Sequence, residues 1–119
     1  MKIVDCHVHL SQYAHDDQSF TEIRDSLLRT MEENRITYSI VCPDSQKNTG
    51  VSDLEATLAV IREYSQLFML GTAHIPTLES GTIEKLNVLA EEARIVGIKL
   101  YPGFELFYPD DKKCHAIYD

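Results

Sequence analysis

Four short runs of apolar and β-branched residues divide the chain: Lys2 to Val8, Ile36 to Cys42, Leu67 to Ala73 and Ile95 to Tyr101. Each is mostly apolar on both alternating faces, the pattern of a strand buried in a parallel sheet. Segments of helical period lie between them. The first opens at Ser19, where Glu22 completes a capping box. Phe20, Ile23, Leu27 and Met31 follow at helical spacing. The second opens at Ser52, with Glu55 in the same relation, and runs through Leu54, Leu58, Ile61 and Tyr64 or Ser65. The third opens near Thr82 and buries Ile83, Leu86, Leu89 or Ala90, and Ala93. A fourth follows Pro109-Asp110, with Asp110 as its cap and Cys114, Ile117 and Tyr118 starting its apolar face.

Strand and helix thus alternate at roughly thirty-residue intervals, which predicts right-handed βαβ units. Two architectures use such units. A doubly wound sheet normally carries a glycine-rich phosphate turn after its first strand. Here that turn is His7-Val8-His9-Leu10-Ser11-Gln12, without glycine. A flavodoxin-like nucleotide-binding module is therefore the weaker expectation. A (β/α)8 barrel places chemistry at the C-terminal ends of its strands, where the two histidines lie. Such a barrel needs ~250 residues, and the chain has 119. Four strand–helix units make half of one.

Bulk properties narrow the classes. Apolar residues make up 44% and charged residues 25% of the chain, as in a soluble globular protein. A net charge of -8 argues against nucleic acid or an anionic membrane as partner, since both need a basic surface. Cys6, Cys42 and Cys114 form no CxxC pair, and Cys6 and Cys42 sit in apolar runs where a free thiol packs as a small hydrophobe. With no stretch resembling a signal peptide or membrane span, the expectation is a reducing, cytoplasmic location.

The candidate chemistry starts in the first run. Residues two apart on a strand share a face. Asp5, His7 and His9 then lie together, with Val4, Cys6 and Val8 opposite. Two adjacent imidazoles can grip one metal ion, and a carboxylate can orient a ring from behind. Asp5 otherwise reads as a buried polar group satisfied by backbone. In the fourth run, Val96, Ile98 and Leu100 form an apolar face toward the helices, leaving Gly97, Lys99 and Tyr101 toward a barrel interior. A lysine there needs a partner or a modification. His74 either lines the same mouth or is an ordinary loop histidine before Pro76. Asp44 reads as a turn residue beside Pro43. Tyr101, Phe104, Phe107 and Tyr108 either wall a pocket or cover the core, and His15 and His115 read as surface residues.

Asp5-Cys6-His7-Val8-His9, together with Gly97-Ile98-Lys99-Leu100-Tyr101-Pro102-Gly103-Phe104, resembles the amidohydrolase superfamily, in particular its amidohydrolase-related (amidohydrolase 2) branch. Phe107-Tyr108-Pro109-Asp110-Asp111 and Cys114-His115-Ala116-Ile117-Tyr118 resemble that branch's approach to its fourth helix. The resemblance implies the N-terminal half, (β/α)4, of a TIM-barrel metal-dependent hydrolase, residues 1–119 holding strands one to four and the start of helix four. It implies a divalent metal, commonly zinc, with His7 and His9 as ligands and the remaining ligands after later strands. A metal-activated water would attack an amide, ester or similar bond of a small-molecule substrate; some members decarboxylate aromatic acids instead. Lys99 would bind a substrate carboxylate or an internal acid, or, carboxylated, bridge two metals. The alternative expectation is a truncated or split half-barrel, inactive alone, that pairs with a second copy or a complementing chain through its open edges.

Overall fold

The parallel ladder starts at the N-terminus and grows by one neighbour at a time. In a computed structural model that describes residues 1–14 and 16–118, strand β1 (Val4–Val8) pairs with β2 (Tyr38–Val41), and β2 with β3 (Leu67–Met69), all parallel. At Leu70 the third run changes partner. Its amide still reaches the Val41 carbonyl at 3.0 Å, and the next two residues, β4 (Gly71–Thr72), pair in parallel with β5 (Ile98–Lys99). The run Leu67 to Thr72 therefore joins a three-stranded and a two-stranded ladder. Spatial order follows chain order throughout. His15, expected at the surface, lies outside the described residues, and no helix among them is long and apolar enough to cross a membrane.

Helices α1 (Phe20–Glu33), α2 (Leu54–Ile61) and α3 (Ser80–Glu91) cross between the strands, and α4 (Lys112–Tyr118) follows β5. The Ser19 capping box forms as expected: its hydroxyl accepts from the Glu22 amide, and the Glu22 carboxylate accepts from the Ser19 amide at 2.8 Å. The second cap differs from expectation. Asp53, not Ser52, caps α2 by accepting the Ala56 amide at 2.9 Å. Ser52 is wholly buried and shares a 2.7 Å hydroxyl bond with Thr57. The α3 helix starts at Ser80, two residues before Thr82. Before α4, Asp111 rather than Asp110 takes an amide, that of Lys113 at 3.2 Å.

Two helices end without glycine. Arg35 and Ala93 adopt φ of 57° and 54°. The following amides, Ile36 and Arg94, fold back onto Met31 and Leu89 at 2.8 and 2.7 Å. This closure satisfies the last carbonyls and turns the chain into the next strand.

The core lies between sheet and helices. Leu10, Met31, Val41, Ile61, Leu67, Met69, Ile75, Leu86 and Leu89 form one buried cluster. Ser39, Val41, Leu67 and Met69 face it, while Tyr38, Ile40, Phe68 and Leu70 on the other sheet face are only half-buried. The expectation of strands buried on both faces is thus corrected. Helices cover one face only, and Val4 and Ile98 on the outer strands remain 46% and 39% exposed. Cys42 and Cys114 are buried, but Cys6 is exposed rather than packed.

Gly71 sits where β4 meets α3. A Cβ there would come within 2.7 to 2.9 Å of methyl groups of Ile98, Ile95 and Leu86. At Gly81, in the first turn of α3, nothing lies within 4 Å. Gly71→Ala should therefore destabilise the fold by about 1–3 kcal/mol, and Gly81→Ala should stabilise it by up to about 1 kcal/mol. Urea unfolding of the two variants checks the opposite signs.

Candidate metal centre

His7 and His9 owe their position to an irregularity in β1. Asp5 lies beside Ser39 and Val8 beside Val41, so β1 holds one residue more than β2 between these pairs. Such a bulge reverses the facing of the residues beyond it. Laterally paired residues share a face, so Asp5 and Val8 both lie on the face of Ser39 and Val41. The expectation that Asp5 shares the histidines' face is corrected. Its carboxylate accepts the His7 backbone amide at 3.1 Å rather than a ring N–H. Asp5 therefore holds the main chain of the bulge, and through it the His7 ring.

The two rings converge edge to face, centroids 4.9 Å apart, with their Nε2 atoms at 3.0 Å. The His9 Nδ1 lies 2.7 Å from the Cys42 carbonyl. A carbonyl only accepts, so Nδ1 carries the proton and the neutral ring presents a bare Nε2. Burial, offset in part by this same bond and then reinforced by Lys99 and His7, holds the His9 pKa below its ordinary value, which favours that neutral form. Lys99, on β5, places its Nζ 3.0 Å from the His7 Nε2 and 4.7 Å from the centre of the Tyr101 ring.

These contacts ask too much of one atom. The His7 Nε2 carries either a proton or a lone pair. With a proton it donates to His9 and meets the Lys99 amine as a donor facing a donor. With a lone pair it accepts from Lys99 and faces the bare His9 nitrogen. An electrophile between the two imidazoles takes up both lone pairs, and zinc–nitrogen bonds of about 2.0–2.1 Å can bridge their 3.0 Å separation. Lys99 then gives up the His7 nitrogen as acceptor and needs an anion in its place. The donor set therefore fits a metal ion as two ligands of a larger set. Among the described residues no group of three or more His, Cys, Asp or Glu side chains gathers around it.

The remaining candidates separate. Tyr101 stands at the centre's side, its hydroxyl donating to the Pro43 carbonyl at 3.0 Å. Burial first, then Asp44, Cys42 and Glu105, push its pKa up to about 12. His74 does not join the group. Its Nδ1 meets the Thr77 hydroxyl at 2.8 Å, and it lines a different cleft with Thr72 and Lys85. His115 is exposed on α4, as expected of a surface residue. Asp44, expected in a turn beside Pro43, forms a parallel bridge with Asp53, while its carboxylate accepts from the Gln46 amide at 3.0 Å and the Thr49 hydroxyl at 2.7 Å. The aromatic loop divides: Phe107 enters the core, while Phe104 and Tyr108 stay exposed.

Sequence patterns gave no hint of Glu105. Only 4% exposed, its carboxylate accepts from the Ser45 hydroxyl and, at 3.0 Å, from the Ile75 amide. It thereby joins the loops after β2, β4 and β5. An isolated glutamate among aromatic residues carries no local signal of this role; only the assembled loops bring its two donors together.

The family models, the curated proteins and the solved structures compared with this chain contain no match to it.

Because the folded-state pKa of Tyr101 lies above the ordinary 10, the folded protein holds that proton longer than the unfolded chain. Its contribution to stability is complete below pH 10 and declines as pH rises from there through about 12. Phenolate absorbance should show a late-titrating phase near the upper end of this window, and Tyr101→Phe should remove it. A titration unchanged by that substitution would contradict the half-buried, Asp44-flanked phenol.

Proposed function

We propose that the chain is the (β/α)4 half of an amidohydrolase-related, metal-dependent hydrolase, acting on an amide, ester or similar bond of a small molecule or, as in related decarboxylases, on a carboxylate. The observation that carries this reading is the convergence of the His7 and His9 Nε2 atoms at 3.0 Å with the His9 proton held on Nδ1, a pair of nitrogens that a divalent ion can take as two ligands. The sequential, all-parallel strand order supports it, because a doubly wound sheet reverses its order at a switch point. So does the placement of His7, His9 and Lys99 at strand ends, where barrels keep their chemistry.

In this reading His7 and His9 hold the ion through Nε2. The Cys42 carbonyl fixes the His9 tautomer, and Asp5 fixes the His7 backbone. The chemistry the ion supplies when bound is a water acidified to a pKa of about 7 and a polarised scissile group. Lys99, beside His7 and against the Tyr101 ring, is placed to meet a substrate carboxylate. A cytoplasmic location belongs to the same proposal and rests on three unpaired thiols.

The full chain should take up zinc, and His7→Ala with His9→Ala should lower the bound metal at least tenfold by elemental analysis. Metal content unchanged in the double variant would defeat the reading.

A second reading has its own observation. Ile3 and Val4 at the start of β1, and Val96 and Ile98 at β5, leave apolar side chains exposed at both edges of the ladder. Edges of this kind accept further strands from a second copy or another chain. Light scattering should then give a mass above 13.6 kDa. A monomer with a cooperative melt would remove the need for a partner.

A further inference from the structure

Beside His9 lies a cleft of about 370 Å³ that the metal reading does not use. We propose that it binds the apolar, ring-sized part of a substrate carrying an ammonium group, with Asp44 as the counter-charge. The proposal rests on the His7–His9 centre being the reaction centre.

The apolar walls come from Tyr13, Tyr101, Phe104 and Val51, with Ser11, Asp44 and the His9 ring completing the lining. The volume lies within the usual range of small-molecule sites, about 300–1,000 Å³. Two loops hold the walls. Ser11 bridges Val51, and the Gln12 amide donates to the Gly50 carbonyl at 2.7 Å. The Tyr13 ring lies against the bare backbone of Gly50, where a Cβ would approach it to 2.9 Å. Opposite, the Tyr101 hydroxyl is tied to Pro43. Phe104, 79% exposed, stands at the rim next to Gly103, whose φ of 89° lets the loop turn there.

The lining sets the charge of the ligand. Asp44 is the one carboxylate among the described residues of the cleft, and no lysine or arginine lines it. Its two oxygens each accept one bond, from Gln46 and Thr49, so the group is held still with acceptor sites to spare. An anionic ligand seated against Asp44 would face this carboxylate, while the His9 end of the cleft, toward Lys99, is free to take a carboxylate of the same substrate. A purely apolar ligand would strip water from it and leave it unpaired. An ammonium group satisfies it, and the aromatic faces add cation–π attraction. The negative field reaches into the cleft: it helps to hold the Tyr101 phenol protonated.

The test is an NMR titration of the full chain at neutral pH with benzylammonium, benzyl alcohol and benzoate, zinc being measured on the same sample. Benzylammonium should bind at least tenfold more tightly than benzoate. Asp44→Asn, which keeps an acceptor for the Gln46 amide, should weaken benzylammonium about tenfold and leave benzyl alcohol unchanged. Phe104→Ala, at an exposed position the fold does not need, should weaken both. Benzoate binding as well as the amine, no binding of the amine, or indifference to Asp44→Asn would each overturn the proposal. Failure of the amine with zinc present counts against this site alone. Amine binding in a chain that takes no zinc counts against the metal reading and separates the cleft from it.

Discussion

In a parallel ladder each residue must face as its lateral neighbour faces, and β1 carries one residue more than β2 between its fixed pairs. The surplus is absorbed between Asp5 and Val8, and Asp5 takes up the amide that the ladder leaves free. Downstream of it, Val8 and Leu10 return to the helix-covered side, and both imidazoles project from the other. Without the surplus residue, Val8 would lose its place beside Val41, and the His9 ring would lose its approach to the Cys42 carbonyl. The centre and the core are therefore set by one local event in the first strand.

Much of this framework was legible in the residues. Each of the four apolar runs contains a strand, the third containing two, and helix α1 begins at the capping box that Ser19 and Glu22 announce. Periodicity also placed Lys99 and Tyr101 on the face that meets His7, because β4 and β5 pair without a bulge. Legibility failed where tertiary contacts choose between equivalent local signals. Ser52 and Asp53 are both good caps; burial of Ser52 against Thr57 leaves the role to Asp53. Two left-handed helix ends fall on Arg35 and Ala93, where no glycine marks them.

The site was legible in its parts and illegible in its geometry. Alternation along a strand is reliable only while the strand is regular, so it joined Asp5 to the wrong face. The proximity of His7 to Lys99, 92 positions later, follows from sheet order and not from spacing. His74 is separated from the centre by its own loop, which turns the ring onto Thr77.

Glu105 bears on how this architecture can vary. Its two oxygens are committed to two different loops, and its own loop is the third. Loops that follow strands are usually interchangeable parts, lengthened or replaced one by one. Here a change in length after β2, β4 or β5 strands either a buried carboxylate or the groups it serves. The three loops form a single inheritable unit. Any remodelling of these loops has to move all of them together or begin by replacing Glu105 with a residue that asks for no partner.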